Sequence, residues 1–255
     1  MKRLIVITMF LSFVCAGVAQ EQSGEAGPSK NKFTVALNFG SGSYIGHGAP
    51  APNLDGYTLA APMEGWFKNK PTFDLEGKWF INEQWALKLG GGLYFSHSPA
   101  YNEVTGTVQN PGGGTLPPQS GELPQYNAVV GSDNLQYTVA AGVDRYIPTA
   151  VNKLYLRIGA EVGFAYGRIA QNAPDDERYM GAAVGEAYSF RLLPVVGVDY
   201  FFTRNWFAGV DIRPLSYHYS VYSERPQVGM KLLSSDNHAF SFLRQTPSIK
   251  VGFCF

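Results

Sequence analysis

The chain has 255 residues, 20 basic and 20 acidic side chains, and abundant Gly (29), Tyr (15) and Phe (17). The resulting net charge of zero removes the electrostatic reason to expect nucleic acid as a partner. The Gly and aromatic content favours strands, turns and aromatic belts over helices.

The N-terminus has the three parts of an export signal. Residues 2–3 are basic, residues 4–14 are apolar and residues 16–19 are small, which predicts a signal peptide over residues 1–19. The apolar run is shorter than the roughly 20 residues of a transmembrane helix. Cys15 raises a lipoprotein as an alternative, but the bulky Val14 precedes it where lipidation needs a small residue.

The segment after the signal is polar and rich in turn-forming residues. Residues 20–32 are therefore predicted to form a disordered leader. Loss of the signal leaves Cys254 as the one thiol, so no internal disulfide is expected. No apolar run of about 18 residues follows, which leaves a closed barrel as the way for the mature chain to cross a membrane.

Alternation of apolar and polar residues recurs eight times along the rest of the chain. Successive side chains of a strand face opposite sides of the sheet, so each segment has one apolar and one polar or small face. Pro194 weakens the sixth segment because it cannot donate a ladder hydrogen bond. The segments cover about residues 33–40, 72–79, 86–95, 135–144, 154–167, 190–200, 208–214 and 243–255.

The connections between these segments alternate in length. Those over residues 80–84, 146–153 and 201–205 are short. Those over residues 41–71, 97–133, 168–186 and 217–240 are long. The pattern predicts an all-β protein over residues 33–255, namely an eight-stranded, antiparallel, up-and-down transmembrane β-barrel with long extracellular loops and short periplasmic turns.

Two hairpins repeat one motif, an aromatic pair, a polar turn and then Trp. Residues 79–87 align without gaps onto residues 200–208. Amphipathic rings at a turn suit the headgroup layer. The predicted membrane-interface aromatics are Trp79, Phe80, Trp85, Tyr200, Phe201 and Trp206.

With its alternating strands, these hairpins and the final Phe-Cys-Phe, the chain resembles the small outer-membrane barrels that are OmpX-like or like the transmembrane domain of OmpA. The resemblance covers about residues 33–255 and implies the outer membrane of a Gram-negative (diderm) bacterium. It also implies that Phe253 and Phe255 form a C-terminal signal read by the barrel-assembly machinery.

Charges of both signs fall on the inward parity. An eight-stranded barrel is just wide enough inside to be filled by side chains, so we expect these charges to pair across the lumen and plug it. The alternative is an ion-selective pore, which would more naturally show one sign of charge at its constriction. The residues are Asp74, Glu76, Lys78, Lys88, Asp144, Arg157, Glu161, Arg191, Asp199, Asp211, Arg213, Arg244 and Lys250.

All four histidines map to the long-loop side. His47, His97, His218 and His238 invite two hypotheses, a metal site or a lipid-modifying enzyme using a His97–Ser98 pair. No spacing demands either, and Gly90–Gly92 lacks the Lys-Ser/Thr of a phosphate loop. We expect no enzymatic activity, no catalytic or metal-binding residues and no cofactor.

The expected role is structural or surface-binding, carried by loops on a rigid, plugged barrel. Expected partners are outer-membrane lipids and lipopolysaccharide, the assembly machinery, and a surface ligand or protein. The alternatives are a narrow channel for small solutes, a lipid-modifying enzyme, and a soluble periplasmic barrel with the apolar parity inside. The aromatics assigned to loop contacts are Tyr44, Tyr57, Trp66, Phe67, Tyr101, Tyr126, Tyr179 and Tyr222.

Overall fold

The computed structural model describes residues 26–42, 44–45, 70–102, 129–172, 184–225, 233–242 and 247–255. The predicted signal peptide and most of the first three long connections lie outside these ranges. The strands are β1 (Phe33–Gly42), β2 (Lys70–Phe80), β3 (Trp85–Ser98), β4 (Gly131–Pro148), β5 (Leu154–Asn172), β6 (Val184–Tyr200), β7 (Trp206–Ile212), β8 (Leu215–Arg225), β9 (Leu233–Phe242) and β10 (Ser248–Cys254).

Antiparallel pairing closes the sheet on itself. Each strand from β1 to β6 pairs with the next, β7 pairs with β10, and β10 returns to β1 through pairs such as Leu37 with Val251. The strands β8 and β9 prolong the walls formed by β7 and β10. The predicted eight-stranded antiparallel barrel is therefore confirmed.

A bulge divides β7 from β8. Ile212 pairs with Val196 and Tyr217 with Leu192, so four residues of one wall lie opposite three of β6. Pro214 occupies the bulge, where its missing N–H costs no ladder bond.

The prediction of a long loop over residues 217–240 was wrong, because β8 and β9 form a paired hairpin there. Because of the extra residue, the outward side chains have even residue numbers on β7 and odd residue numbers on β8. Alternation followed with a fixed parity therefore stops at Pro214, although it resumes at once in β8.

The barrel is apolar outside and polar inside. On β3 the outward Leu89, Leu93 and Phe95 are 62–69% exposed, whereas the inward Lys88 is 6% exposed. The outward stripe runs from Trp85 to Phe95, about 34 Å along the strand. At the usual tilt of such strands that length gives an apolar band about 25 Å tall, the height of a membrane-spanning barrel. No helix in the described part of the chain could cross a membrane.

Outward-facing rings mark the turn end of the band. Trp79, Trp85, Tyr200 and Trp206 are each 40–44% exposed, and the guanidinium of Arg145 lies 5.7 Å from the Trp85 ring centroid. These four occupy the outer surface, as expected for rings at a membrane interface.

Phe80 and Phe201 differ from that prediction, because they are 0% and 1% exposed and point into the barrel. Each directly follows an outward aromatic residue, and neighbours in a strand face opposite sides. An aromatic pair therefore contributes one ring to the membrane interface and one to the interior.

The end of the predicted disordered leader is ordered against the barrel. The Asn31 N–H donates to the Phe80 carbonyl at 2.9 Å. The Lys32 ammonium donates to the carbonyls of Gly27 and Arg204, at 3.0 and 3.2 Å. Residues 26–32 thus close over the end of the barrel that carries the short turns.

Candidate functional site

The lumen is filled in layers, and the first is an aromatic floor at the turn end. Phe80, Tyr146, Phe201 and Phe207 are at most 2% exposed and pack into one cluster. Phe201 and Phe207 stack with ring centroids 5.3 Å apart. The floor seals this end of the lumen with apolar contacts.

A connected network of ion pairs lies directly above the floor. The Tyr146 hydroxyl joins the two layers, since it accepts from the Lys78 ammonium at 3.0 Å and donates to Asp199 at 2.9 Å. The network contains five acids and five bases: Glu76, Asp144, Glu161, Asp199 and Asp211 with Lys78, Lys88, Arg157, Arg191 and Lys250. We call these ten residues the ionic layer.

Arg157 holds the centre of the ionic layer. Its guanidinium contacts Asp144 at 2.5 Å, bonds to Asp211, and places Nε 3.7 Å from Asp199. All four side chains are at most 2% exposed. One buried cation thus compensates part of the charge of three carboxylates across the lumen.

Lysines on other strands complete the pairing. The Lys250 ammonium lies 2.7 Å from Asp199, and Lys78 lies 2.8 Å from Asp144. Lys88 bridges to Glu161 at 3.2 Å, and Glu161 in turn lies 3.6 Å from Arg191. Equal numbers of opposite charges in contact give a neutral layer, which lowers the cost of burying ions.

Glycines on the inward face make room for these long side chains. A Cβ on Gly209 would lie 2.6 Å from Lys250 Cε and 2.8 Å from the Val198 carbonyl oxygen. Gly77 faces outward, and a Cβ there would meet nothing closer than 3.8 Å.

We expect Gly209→Val to destabilise the barrel by about 1–3 kcal/mol through overpacking, as measured by urea unfolding from lipid vesicles. Gly77→Val is the matched control and should be neutral or stabilising, because a β-branched residue fits an open strand position. A loss at Gly77 as large as that at Gly209 would contradict the assignment of the two faces.

A small polar chamber follows above the ionic layer. Its volume is about 30 Å³, and Asn38, Asp74, Thr138 and Arg213 are among its lining residues, which is room for about one water molecule. Arg191 donates to Thr138 Oγ1 at 3.1 Å, and Arg213 donates to Ser248 Oγ at 3.3 Å. Asp74 and Arg213 thus lie inside the barrel but above the ionic layer, and Arg244 lies outside the described residues.

The start of the first long connection covers this chamber. Tyr44 and Ile45 are 5% and 1% exposed, and Ile45 packs in a cluster with Ile169 and Tyr222. The Tyr44 hydroxyl donates to the Phe73 carbonyl at 3.3 Å, and burial raises the pKa of Tyr44 above its usual value.

The structure thus corrects the assignment of Tyr44 and Tyr222 to surface contacts, since both fill the lumen. Tyr222 lies on the inward parity of β8, and so a strand assignment there would have placed it. No periodic pattern marks residues 44–45, and their position follows from tertiary packing alone.

An open vestibule lies above this apolar layer. It has a volume of about 470 Å³ and is lined by inward residues of three adjacent strands: Tyr94, Ser96 and Ser98 of β3, Ser132 and Asn134 of β4, and Ile169 and Gln171 of β5. Its mouth is at the end of the barrel opposite the short turns. The strand segments predicted over residues 86–95, 135–144 and 154–167 are too short to include this wall, because only Tyr94 of its seven residues falls within them.

The described histidines do not gather into a site. His97 Nδ1 lies 2.5 Å from Asp133 and His238 Nδ1 lies 2.8 Å from the Tyr217 hydroxyl, both on the outer surface, while His218 is buried inside. Ser98 lines the vestibule, so the hypothetical His97–Ser98 pair faces opposite sides of the wall. Within the described ranges no three His, Cys, Asp or Glu residues are placed to hold a metal, and His47 lies outside those ranges.

Comparison by sequence gives one family. The profile of the OmpA-OmpF-like porin family matches residues 59–255. The sequence has no significant match among curated proteins.

Comparison by structure returns outer-membrane barrels at low identity. OprG of Pseudomonas aeruginosa is 12% identical with a TM-score of 0.48, over 90% of this chain and 98% of OprG. A major outer-membrane protein of Thermus thermophilus is 11% identical with a TM-score of 0.48, over 89% and 100%. Ail of Yersinia pestis is 15% identical with a TM-score of 0.41, over 89% and 99%.

Proposed function

The chain belongs to the OmpA-OmpF-like porin family of outer-membrane β-barrels, and we propose that within it this protein is a closed barrel that presents a binding surface rather than a pore. The segments that would carry contacts join the strands at the vestibule end, at residues 46–69, 99–130, 173–183 and 226–232. The proposed role is non-enzymatic.

The observation that carries this proposal is the ionic layer. Its ten members meet across the whole lumen, between the aromatic floor below and the Tyr44–Ile45 cluster above. Arg157, Asp199 and Lys250 are each 0% exposed. An ion would have to separate several buried pairs to pass, and each separation would leave charges uncompensated in a poorly hydrated space.

We expect the purified protein to give no steady current steps in planar bilayers at high salt. The same preparation should contain folded barrels, as shown by their tryptophan emission, with a known porin as the positive control. Replacing one contacting pair together, Lys88→Ala with Glu161→Ala, keeps the layer neutral and should also give no current steps, because the aromatic floor and the Tyr44–Ile45 cluster still close the lumen. Regular ion steps from the unaltered protein would overturn the closed barrel and support a channel for small solutes.

Further parts of the proposal concern export and partners. We propose that residues 1–19 are removed after Ala19, which N-terminal sequencing of the protein from membranes would test. We also propose that Phe253 and Phe255 are read by the assembly machinery, and that lipopolysaccharide surrounds the outer half of the band. Phe253 lies against Trp206, with ring centroids 5.1 Å apart, so both rings are near the closing β1–β10 seam.

A further inference from the structure

The vestibule is built as a regular polar wall. Ser98, Ser132 and Gln171 lie opposite one another across β3, β4 and β5 and form one row. Ser96, Asn134 and Ile169 form the next row towards the ionic layer. The wall thus presents hydroxyl and amide groups, each able to donate and to accept hydrogen bonds.

The dimensions of this wall are set by strand geometry. Neighbouring strands are about 4.8 Å apart, so three strands span about 10 Å, and two rows on one face are about 7 Å apart. That area matches two linked sugar rings lying along a row. The volume of about 470 Å³ falls within the usual range of small-molecule sites.

The inner end of the vestibule differs from its walls. Tyr94 and Ile169 line the vestibule and also pack on the apolar cluster of Ile45 and Tyr222. A ligand would therefore meet hydrogen-bonding groups at its edges and an aromatic and aliphatic surface at its inner end. A pyranose has the same division, with hydroxyls around the ring and C–H groups on its face.

The seven described side chains that line the vestibule carry none of the charges that other ligand classes need. None of its seven lining side chains is charged, whereas phosphate and carboxylate ligands are bound by Arg or Lys and hard cations by carboxylates. The nearby His97 and Asp133 pair with each other on the outer surface. The hydroxyl and amide groups of the described lining therefore favour neutral, hydroxyl-rich ligands.

We infer that the vestibule is a binding site for neutral saccharides, of about two sugar units, entering from the extracellular side. The inference rests on the proposed closed lumen, because the Tyr44–Ile45 cluster makes the vestibule a dead end that retains a ligand instead of passing it on. The ligand is a free disaccharide or the end of a longer neutral glycan.

The test uses the full mature chain in lipid nanodiscs prepared without maltoside detergents, whose sugar headgroups would compete. Maltose, lactose and diacetylchitobiose are the probes, titrated by saturation-transfer NMR. At least one should bind saturably with a Kd of about 1 mM or below. If maltose is the disaccharide that binds, linear maltohexaose should also bind through its end, whereas the endless ring of cyclohexa-amylose should not. Equal binding of the ring would place the contact outside the vestibule and overturn the inference.

A matched pair of variants locates the site. Ser98→Val with Ser132→Val removes a cross-strand hydroxyl pair from the vestibule and should weaken binding about tenfold or more. Ser223→Val with Ser234→Val removes a cross-strand serine pair from the outer surface and should leave the Kd unchanged. Equal effects of the two variants would contradict the site.

Failure of this inference can be told apart from failure of the proposed closed barrel. A barrel that is silent in bilayers but binds none of the three disaccharides overturns the saccharide site alone. A barrel that conducts while the Ser98–Ser132 variant still loses saccharide binding overturns the closed lumen alone.

Discussion

Replacing Arg157 with Met is expected to lower the free energy of unfolding by about 3–5 kcal/mol, because it removes one partner from a buried ionic cluster. Met keeps most of the side-chain volume, so the loss reports charge and hydrogen bonding rather than a cavity. Asp144, Asp199 and Asp211 would each lose a contact made by the guanidinium. Urea unfolding from vesicles, followed by tryptophan emission, measures the change.

Arg145→Met is the control for Arg157→Met. Arg145 lies on the outer face of the neighbouring strand, where its guanidinium contacts the Trp85 ring. A cation–π contact at an exposed site is worth about 0.5–1 kcal/mol. Similar losses at both arginines would show that the ionic layer does not hold the fold together.

The double variant Arg157→Met, Asp211→Asn separates charge balance from packing. It removes one cation and one anion that bond directly, so the remaining layer is neutral again. Its loss should therefore be smaller than the sum of the two single losses, by about 0.5–3 kcal/mol. Strict additivity would mean that the two side chains act independently.

How far the sequence predicts this molecule depends on where alternation is unbroken. Along β5 the apolar residues from Leu154 to Tyr166 keep one parity, so Arg157 and Glu161 could be assigned to the interior from sequence alone. At Pro214 a single extra residue reverses the parity, so alternation with a fixed parity predicts a loop where the strand β8 begins. The alternation of one strand does not predict a bulge, because a bulge is defined by how many residues of the partner strand lie opposite it.

The layers of the lumen were less predictable than its walls. The alternation predicts that a charged side chain faces inward. It does not predict which opposite charge that side chain contacts, because the contact depends on the shear and tilt of the closed barrel. The sequence around Tyr44 and Ile45 does not alternate, so it gives no indication that their side chains lie inside the barrel. The vestibule is formed by the ends of β3, β4 and β5. Apolar alternation does not predict these ends, because serines and other polar residues replace the apolar ones there.

The second large effect on stability is expected at Val162, because the outward face of the barrel lies in lipid and Val162 is at mid-height of the apolar band. Val162 faces outward on β5 and is 59% exposed, so lipid tails surround it. Val162→Arg should lower the free energy of unfolding by about 2–4 kcal/mol, the cost of a cation at the midplane of a membrane barrel. Leu154→Arg, on the same face of β5 but beside a short turn, should cost only about 0–1 kcal/mol. The measurement is again urea unfolding in vesicles.

The next residue along the strand tests the other face. Gly163 points into the lumen, where an added Cβ would lie 2.9 Å from Arg191 Cγ. Gly163→Val should therefore cost about 1–3 kcal/mol through crowding although it carries no charge, whereas Val162→Ala on the lipid face should cost less. If Val162→Arg were tolerated as well as Leu154→Arg, the outward face would not lie in lipid. If Gly163→Val were harmless, the inward face would not be packed, and the closed lumen would lose its structural basis.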